Sequence, residues 1–274
     1  MLAMLLLNSC VSVPRPEAES KHFNNGIHYD QVGHGNWIVL IHGTNMDSRL
    51  WESEREWMAL NHRVLTYDLR GQGQSDFPEE EYSNHLDLLN LLHAVKAQHV
   101  VLVGLSAGAQ VALDVALIEP ALVDRIVLVS PSIRGFVPEV IPDFLTDLMS
   151  ALKDRDFDLA NEVLISSPMM EVPPDRRTVV KEMVETNAKL WEIPYSIVIQ
   201  NNPLAIQRLD EISMPTLILL GAKDVGTTIE QGEHLERELV NARLVKIPEG
   251  GHLLNMTSPV LFQQAFLEFI SEEL

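Results

Sequence analysis

Cysteine is nearly missing from this chain of 274 residues: Cys10 is the only one. No internal disulfide can form, and thiolate metal sites are excluded. Basic side chains are scarce too, 20 Lys and Arg against 39 Asp and Glu, giving a formal net charge of −19. Such a surface repels polyanions, so nucleic acid is excluded as a partner, and an anionic membrane finds no basic patch. The apolar run at the N-terminus falls well short of the roughly 20 residues that span a bilayer, and no internal repeat is visible. What is present describes a globular protein. Hydrophobic residues make up 46% of the chain and include four Trp, and the length suffices for one sizeable core.

The first ten residues, Met-Leu-Ala-Met-Leu-Leu-Leu-Asn-Ser-Cys, precede a polar, proline-bearing stretch. Leu7-Asn8-Ser9-Cys10 resembles a bacterial lipoprotein lipobox, which implies a membrane tether through a lipidated Cys10. No Lys or Arg precedes the apolar run, so a cytoplasmic protein with a frayed N-terminus stands as the other expectation. In both cases residues 1–19 are expected outside the fold.

From residue 20 the pattern is one of strands alternating with helices. A hairpin is expected over 21–32 around Asn24-Asn25-Gly26, with strands at 37–41, 63–67, 100–103, 125–129, 216–220 and 243–247. Helical segments fall between them: one carrying Trp51, Trp57 and Leu60, one with Leu86, Leu89, Leu92 and Val95, then 110–118, 229–239, and a closing helix with Leu261, Phe262, Phe266 and Phe269. This is an α/β protein with a mainly parallel central sheet covered by helices on both faces. Residues 133–210 break the alternation, with proline at 138, 142, 168, 173, 174, 194 and 203 and helical pieces at 143–152, 155–165 and 175–190. They read as a helical cap inserted into a core formed by 20–132 and 211–274. Phe136, Met169, Trp191 and Tyr195 are its candidates for lining a substrate pocket.

The chemistry centres on Gly104-Leu105-Ser106-Ala107-Gly108, a G-x-S-x-G sequence between a strand and a helix. On such a sharp turn the serine hydroxyl is pushed out of the sheet, and a Cβ at 104 or 108 would strike the neighbouring backbone. A serine hydroxyl needs a base, and the base needs an orienting carboxylate. Asp224 follows the strand 216–220, and His252 follows the strand 243–247; Glu230 and Glu249 are the nearby rivals of Asp224. The other nine histidines fall in the N-terminal hairpin, in amphipathic helices, before strands, or in His42-Gly43. An acyl-transfer oxyanion needs two fixed N–H donors; Ala107, after the serine, and Thr44, after the strand 37–41, stand in the required places.

With His42-Gly43, Asp68-x-Arg70-Gly71-x-Gly73-x-Ser75, the Ser106 turn, Gly221-x-x-Asp224 and Gly251-His252 in order, residues 37–131 and 215–255 resemble the α/β-hydrolase superfamily. Within it the chain is similar to cap-bearing esterases and lactonases of the 3-oxoadipate enol-lactonase type. The resemblance implies a serine hydrolase cleaving a small carboxylic ester or lactone through an acyl-enzyme on Ser106, with no metal and no organic cofactor. Serine at 106 argues against the dehalogenases and epoxide hydrolases of the same superfamily, most of which carry aspartate there. Two rival readings are C–C bond hydrolysis of a diketone-type substrate and a non-catalytic ligand-binding protein on a hydrolase scaffold. The Asp68–Ser75 loop reads as a structural turn, and the oligomeric state is open.

Overall fold

The computed structural model describes residues 22–272. Residues 1–19, with the Cys10 for which a lipid tether or a frayed N-terminus was expected, lie outside them. Eight strands form one sheet: β1 (His22–Asn24), β2 (Ile27–Gly33), β3 (Trp37–Ile41), β4 (Arg63–Tyr67), β5 (Val100–Leu105), β6 (Val123–Val129), β7 (Thr216–Gly221) and β8 (Ala242–Ile247). Their order is β1-β2-β4-β3-β5-β6-β7-β8. β1 and β2 form the antiparallel hairpin and β2 runs antiparallel to β4; every later pairing is parallel. The parallel strands need crossover helices, and those helices bury both faces. That is why β3, all of whose five residues are buried, reads as an unbroken apolar run.

The helices are α1 (Glu52–Met58), α2 (Asn84–Ala94), α3 (Ala107–Ile118), α4 (Asp143–Lys153), α5 (Phe157–Ser166), α6 (Arg177–Thr186), α7 (Gly226–Glu238), α8 (Leu254–Thr257) and α9 (Pro259–Ser271). One face of the sheet, with Val39, Leu65, Leu102, Ile126 and Ile218, packs against Leu88, Leu113 and Leu235 of α2, α3 and α7. The opposite face, with Ile38, Val64, Val103, Val127 and Leu217, packs against Met58 of α1 and Phe262 and Phe266 of α9. Each such side chain contributes about 1.5–3 kcal/mol on burial. Leu60 and Leu86 are exposed. α1 ends before Leu60, and the buried stripe of α2 runs through His85, Leu88, Leu89 and Leu92.

α4, α5 and α6 all fall between β6 and β7 as an inserted helical cap, with short 3-10 turns after α5 and after α6. The cap has a small apolar centre of its own, Leu148, Ala151 and Ala160 with Trp191 against them. Leu164, Met183 and Val184 instead join the core of the α1–α9 face, so the cap is seated on the sheet domain by continuous packing. Among the described residues no helix is long and apolar enough to cross a membrane.

One buried acid links two of these elements. Glu54 of α1 is 2% exposed and accepts a 3.0 Å hydrogen bond from Asn255 Nδ2 of α8. Burial pushes its carboxyl up to about 7, against an ordinary value of 4.5. A carboxyl held high in the folded state binds its proton there more tightly than in the unfolded chain. Its contribution is therefore complete below the ordinary range and is lost as pH rises through about 7. We expect the wild type to lose about 3 kcal/mol more stability than Glu54→Gln between pH 4.5 and 8, read as the difference between their urea-unfolding free energies. Parallel pH dependences would contradict this.

Candidate active site

β5, in the middle of the sheet, delivers Ser106. The serine has φ 53° and ψ −113°, a conformation that non-glycine residues seldom adopt. Three backbone hydrogen bonds hold it there: Ser106 N–H to the Val129 carbonyl at 3.0 Å, and the Ala109 and Ser132 N–H groups to the Ser106 carbonyl at 2.9 and 3.3 Å. The glycines on either side permit the turn, since a Cβ at Gly104 would collide with the Gly108 carbonyl and one at Gly108 with the Ile41 carbonyl.

Two neighbouring strand ends bring Asp224 and His252 together. The loop after β7 and the loop after β8 are joined by the Ala222 N–H to the Ile247 carbonyl and the Lys223 N–H to the Gly250 carbonyl, both 2.9 Å. Gly221 lies so close to Gly250 that a Cβ would overlap its carbonyl. Across this junction His252 Nδ1 meets the Asp224 carboxylate, 3.0 Å from Oδ1 and 3.1 Å from Oδ2, with both side chains buried. The Val225 N–H also donates to Asp224 Oδ1, at 2.7 Å. The imidazole is therefore oriented through Nδ1, leaving Nε2 for another partner. Glu249 instead pairs with Lys223, and Glu230 accepts from the Glu139 N–H.

Ser106 and His252 border one cavity of about 180 Å³, without a hydrogen bond between them. Gly43 and Thr44 border it as well, and a Cβ at Gly43 would sit 3.4 Å from that of Ser106. The Thr44 peptide is oriented by His42. Leu69 N–H donates to His42 Nε2 at 2.9 Å, so the ring proton sits on Nδ1 and is donated to the Gly43 carbonyl at 2.8 Å. Burial lowers the pKa of this ring, which favours the neutral tautomer that the two bonds require. In a trans peptide the Thr44 N–H points opposite to the Gly43 carbonyl. Neither the Thr44 nor the Ala107 N–H has an acceptor among the described residues.

Of the four cap residues expected to line the pocket, Met169 and Trp191 border this cavity. Phe136 and Tyr195 do not. Phe136 packs on the ring of His234, 5.4 Å between centroids, against the α7 side of the core. Tyr195 opens a 3-10 turn behind Pro194; it is 69% exposed, and its hydroxyl accepts from Arg134 and Gln200. Larger surface grooves of about 550 and 760 Å³ contain none of Ser106, Asp224 and His252. Among the described residues no group of three His, Cys, Asp or Glu is disposed to hold a metal ion.

A support network behind the Thr44 loop had no counterpart in the sequence reading. Asp68, buried at the end of β4, accepts from His28 Nδ1 at 2.9 Å, from the Ser48 N–H at 2.8 Å and from the Gln74 N–H at 2.9 Å. Burial alone would raise its pKa, but these donors, the His28 bond foremost, hold it at about 2. Asn187, just after α6, joins the cap to the same region. Its Nδ2 donates to Asp47 Oδ2 at 3.0 Å, its Oδ1 accepts the Gly73 N–H at 2.6 Å, and its carbonyl accepts from Asn45 Nδ2 at 3.3 Å. The Asp68-to-Ser75 glycine pattern was the only signal for this network. Asn187 has none, because its partners lie more than a hundred residues away.

A mainly parallel sheet carrying a serine on a strained turn after β5, with a histidine–carboxylate pair in the loops after β7 and β8, defines a hydrolase architecture. The alpha/beta hydrolase family model matches residues 38–265, and the chain belongs to that family. It is 28% identical over 262 residues, 90% of this chain and 98% of the other, to a protein of Pseudomonas savastanoi pv. phaseolicola that carries the name of a carbamate hydrolase. It is 25% identical over 247 residues, 85% of this chain and 88% of the other, to 3-oxoadipate enol-lactonase 1 of Acinetobacter baylyi. An esterase structure from Exiguobacterium antarcticum superimposes with a TM-score of 0.77 at 19% identity, covering 90% of this chain and 96% of that one.

Asn187→Ala is expected to cost about 2 kcal/mol, leaving the Gly73 N–H without its acceptor and removing one of the donors to Asp47. Hydrogen exchange should speed up in 43–48 and 70–75 together while the β1–β2 hairpin is unaffected. Faster exchange confined to α6 would contradict a link between cap and loop.

Proposed function

We propose that the chain is a serine hydrolase that cleaves a small carboxylic ester or lactone. One observation carries the reading: a buried Asp224–His252 pair opens onto the same cavity as a serine held on a strained strand-to-helix turn. The family membership and the relatives named for esterase, lactonase and carbamate hydrolysis support it.

In the reaction, Ser106 Oγ bonds to the substrate carbonyl carbon and its proton passes to His252 Nε2. Asp224, bonded to Nδ1–H, stabilises the imidazolium and fixes its tautomer. The Thr44 and Ala107 N–H groups receive the carbonyl oxygen as it becomes an oxyanion, in a site where preorganised donors cost no reorientation. When the carbonyl re-forms, the bond to the alcohol oxygen breaks and that oxygen takes the proton from Nε2. Water then repeats the attack on the acyl-enzyme, giving up a proton to His252. The acid leaves and Ser106 takes the proton back. We read 133–210 as the cap that closes this cavity.

Ser106→Ala is expected to lower kcat for p-nitrophenyl butyrate by about 10⁴-fold or more, and Asp224→Asn by about 10⁴-fold, both in folded protein. Undiminished turnover in Ser106→Ala would overturn the assignment.

A further inference from the structure

The cavity beside Ser106 is selective in its chemistry as well as its position. Apart from Gly43, Thr44, Ser106 and His252, every side chain lining it is Leu, Met or Trp. The cap contributes Leu148 from α4, Leu164 from α5, and Met169 and Met170 from the turn after it. Trp191 Nε1 already donates to Asn161 Oδ1 at 2.8 Å, so the indole has no donor left for a ligand. The arginines on the flanking loops are committed elsewhere: Arg49 grips Asp47 through two nitrogens at 2.8 and 2.7 Å, and Arg134 bonds Gln110 and Tyr195. At about 180 Å³ the space lies near the ~150 Å³ apolar cavity that accepts benzene and below the roughly 300–1,000 Å³ of pockets for drug-sized ligands.

We propose that the acyl group seated in this cavity is uncharged, apolar and short, about six carbons, and that acyl groups ending in a carboxylate are rejected. With the Thr44 and Ala107 N–H groups taken by the ester carbonyl oxygen, a carboxylate placed further in would lose its hydration with no Lys or Arg in the lining to replace it. The charge of −19 works in the same direction, lowering the encounter rate of anionic substrates. The cleavage part of this inference rests on the serine-hydrolase reading; the selection rests on the lining.

The test compares isosteric esters, p-nitrophenyl 4-methylpentanoate and mono-p-nitrophenyl succinate, at about 0.5 M salt, where surface repulsion is screened. The neutral ester should have at least about a hundredfold higher kcat/KM, the remaining discrimination being desolvation. In the straight-chain series, activity should fall beyond hexanoate. A ratio below tenfold, or a dodecanoate ester turned over faster than hexanoate, would overturn the proposal. A binding arm separates this outcome from failure of the hydrolase reading, using the thermal shift of Ser106→Ala with 4-methylpentanamide and with succinamate. Protection by the neutral amide alone supports the selection even if no ester is cleaved. Equal protection by succinamate, or none by either ligand, would overturn it.

Discussion

Ser106 sits where a residue with a side chain pays a conformational penalty of about 1–3 kcal/mol, and the surrounding structure is arranged to hold it there. The turn lies at the end of β5, the strand flanked by β3 and β6 near the middle of the sheet. Its backbone is bonded to β6 and to the first turn of α3. Two close approaches, Gly104 on Gly108 and Gly108 on Ile41, leave the segment no room to relax towards an ordinary helix start.

The same economy governs the other strand ends. Where Gly221 meets Gly250, two loops lie close enough to share backbone hydrogen bonds, and the Asp224–His252 pair inherits its geometry from that contact. On the opposite flank, where β3 and β4 end, buried polar groups take over the task. His42 sets the direction of the Gly43–Thr44 peptide, Asp68 gathers three donors from three segments, and Asn187 couples the cap to the loop. In a low-dielectric interior such bonds are costly to break singly, so this network behaves as one unit.

The strand ends were legible in the sequence because parallel strands are nearly pure apolar runs and glycines mark where backbones come close. Trp37–Ile41, Val100–Leu105 and Thr216–Gly221 announce themselves in this way, and the loops after them could be numbered before any coordinates. The cap was legible as helical but not as a surface. Tyr195 and Phe136 have the same composition signal as Trp191, yet one faces solvent and one packs on His234. Which side of a short, proline-bounded turn faces the cavity depends on how the cap docks. Asn187 was silent for a related reason, since its meaning lies in partners distant in sequence, and the Asp68–Ser75 loop could be read as a structural turn but not for the donors that Asp68 gathers. Nothing in the sequence around Glu54 marks it as buried; its burial follows from the α1–α8 contact.

The central claim is that Ser106 is a nucleophile activated by His252. The most direct measurement is intact-mass and peptide mapping after treatment of the folded protein with a fluorophosphonate probe. The account predicts a single adduct on the peptide containing Ser106, formed by the wild type and lost in a folded His252→Ala variant. A folded wild-type protein that takes no adduct, or takes it on another residue, would contradict it.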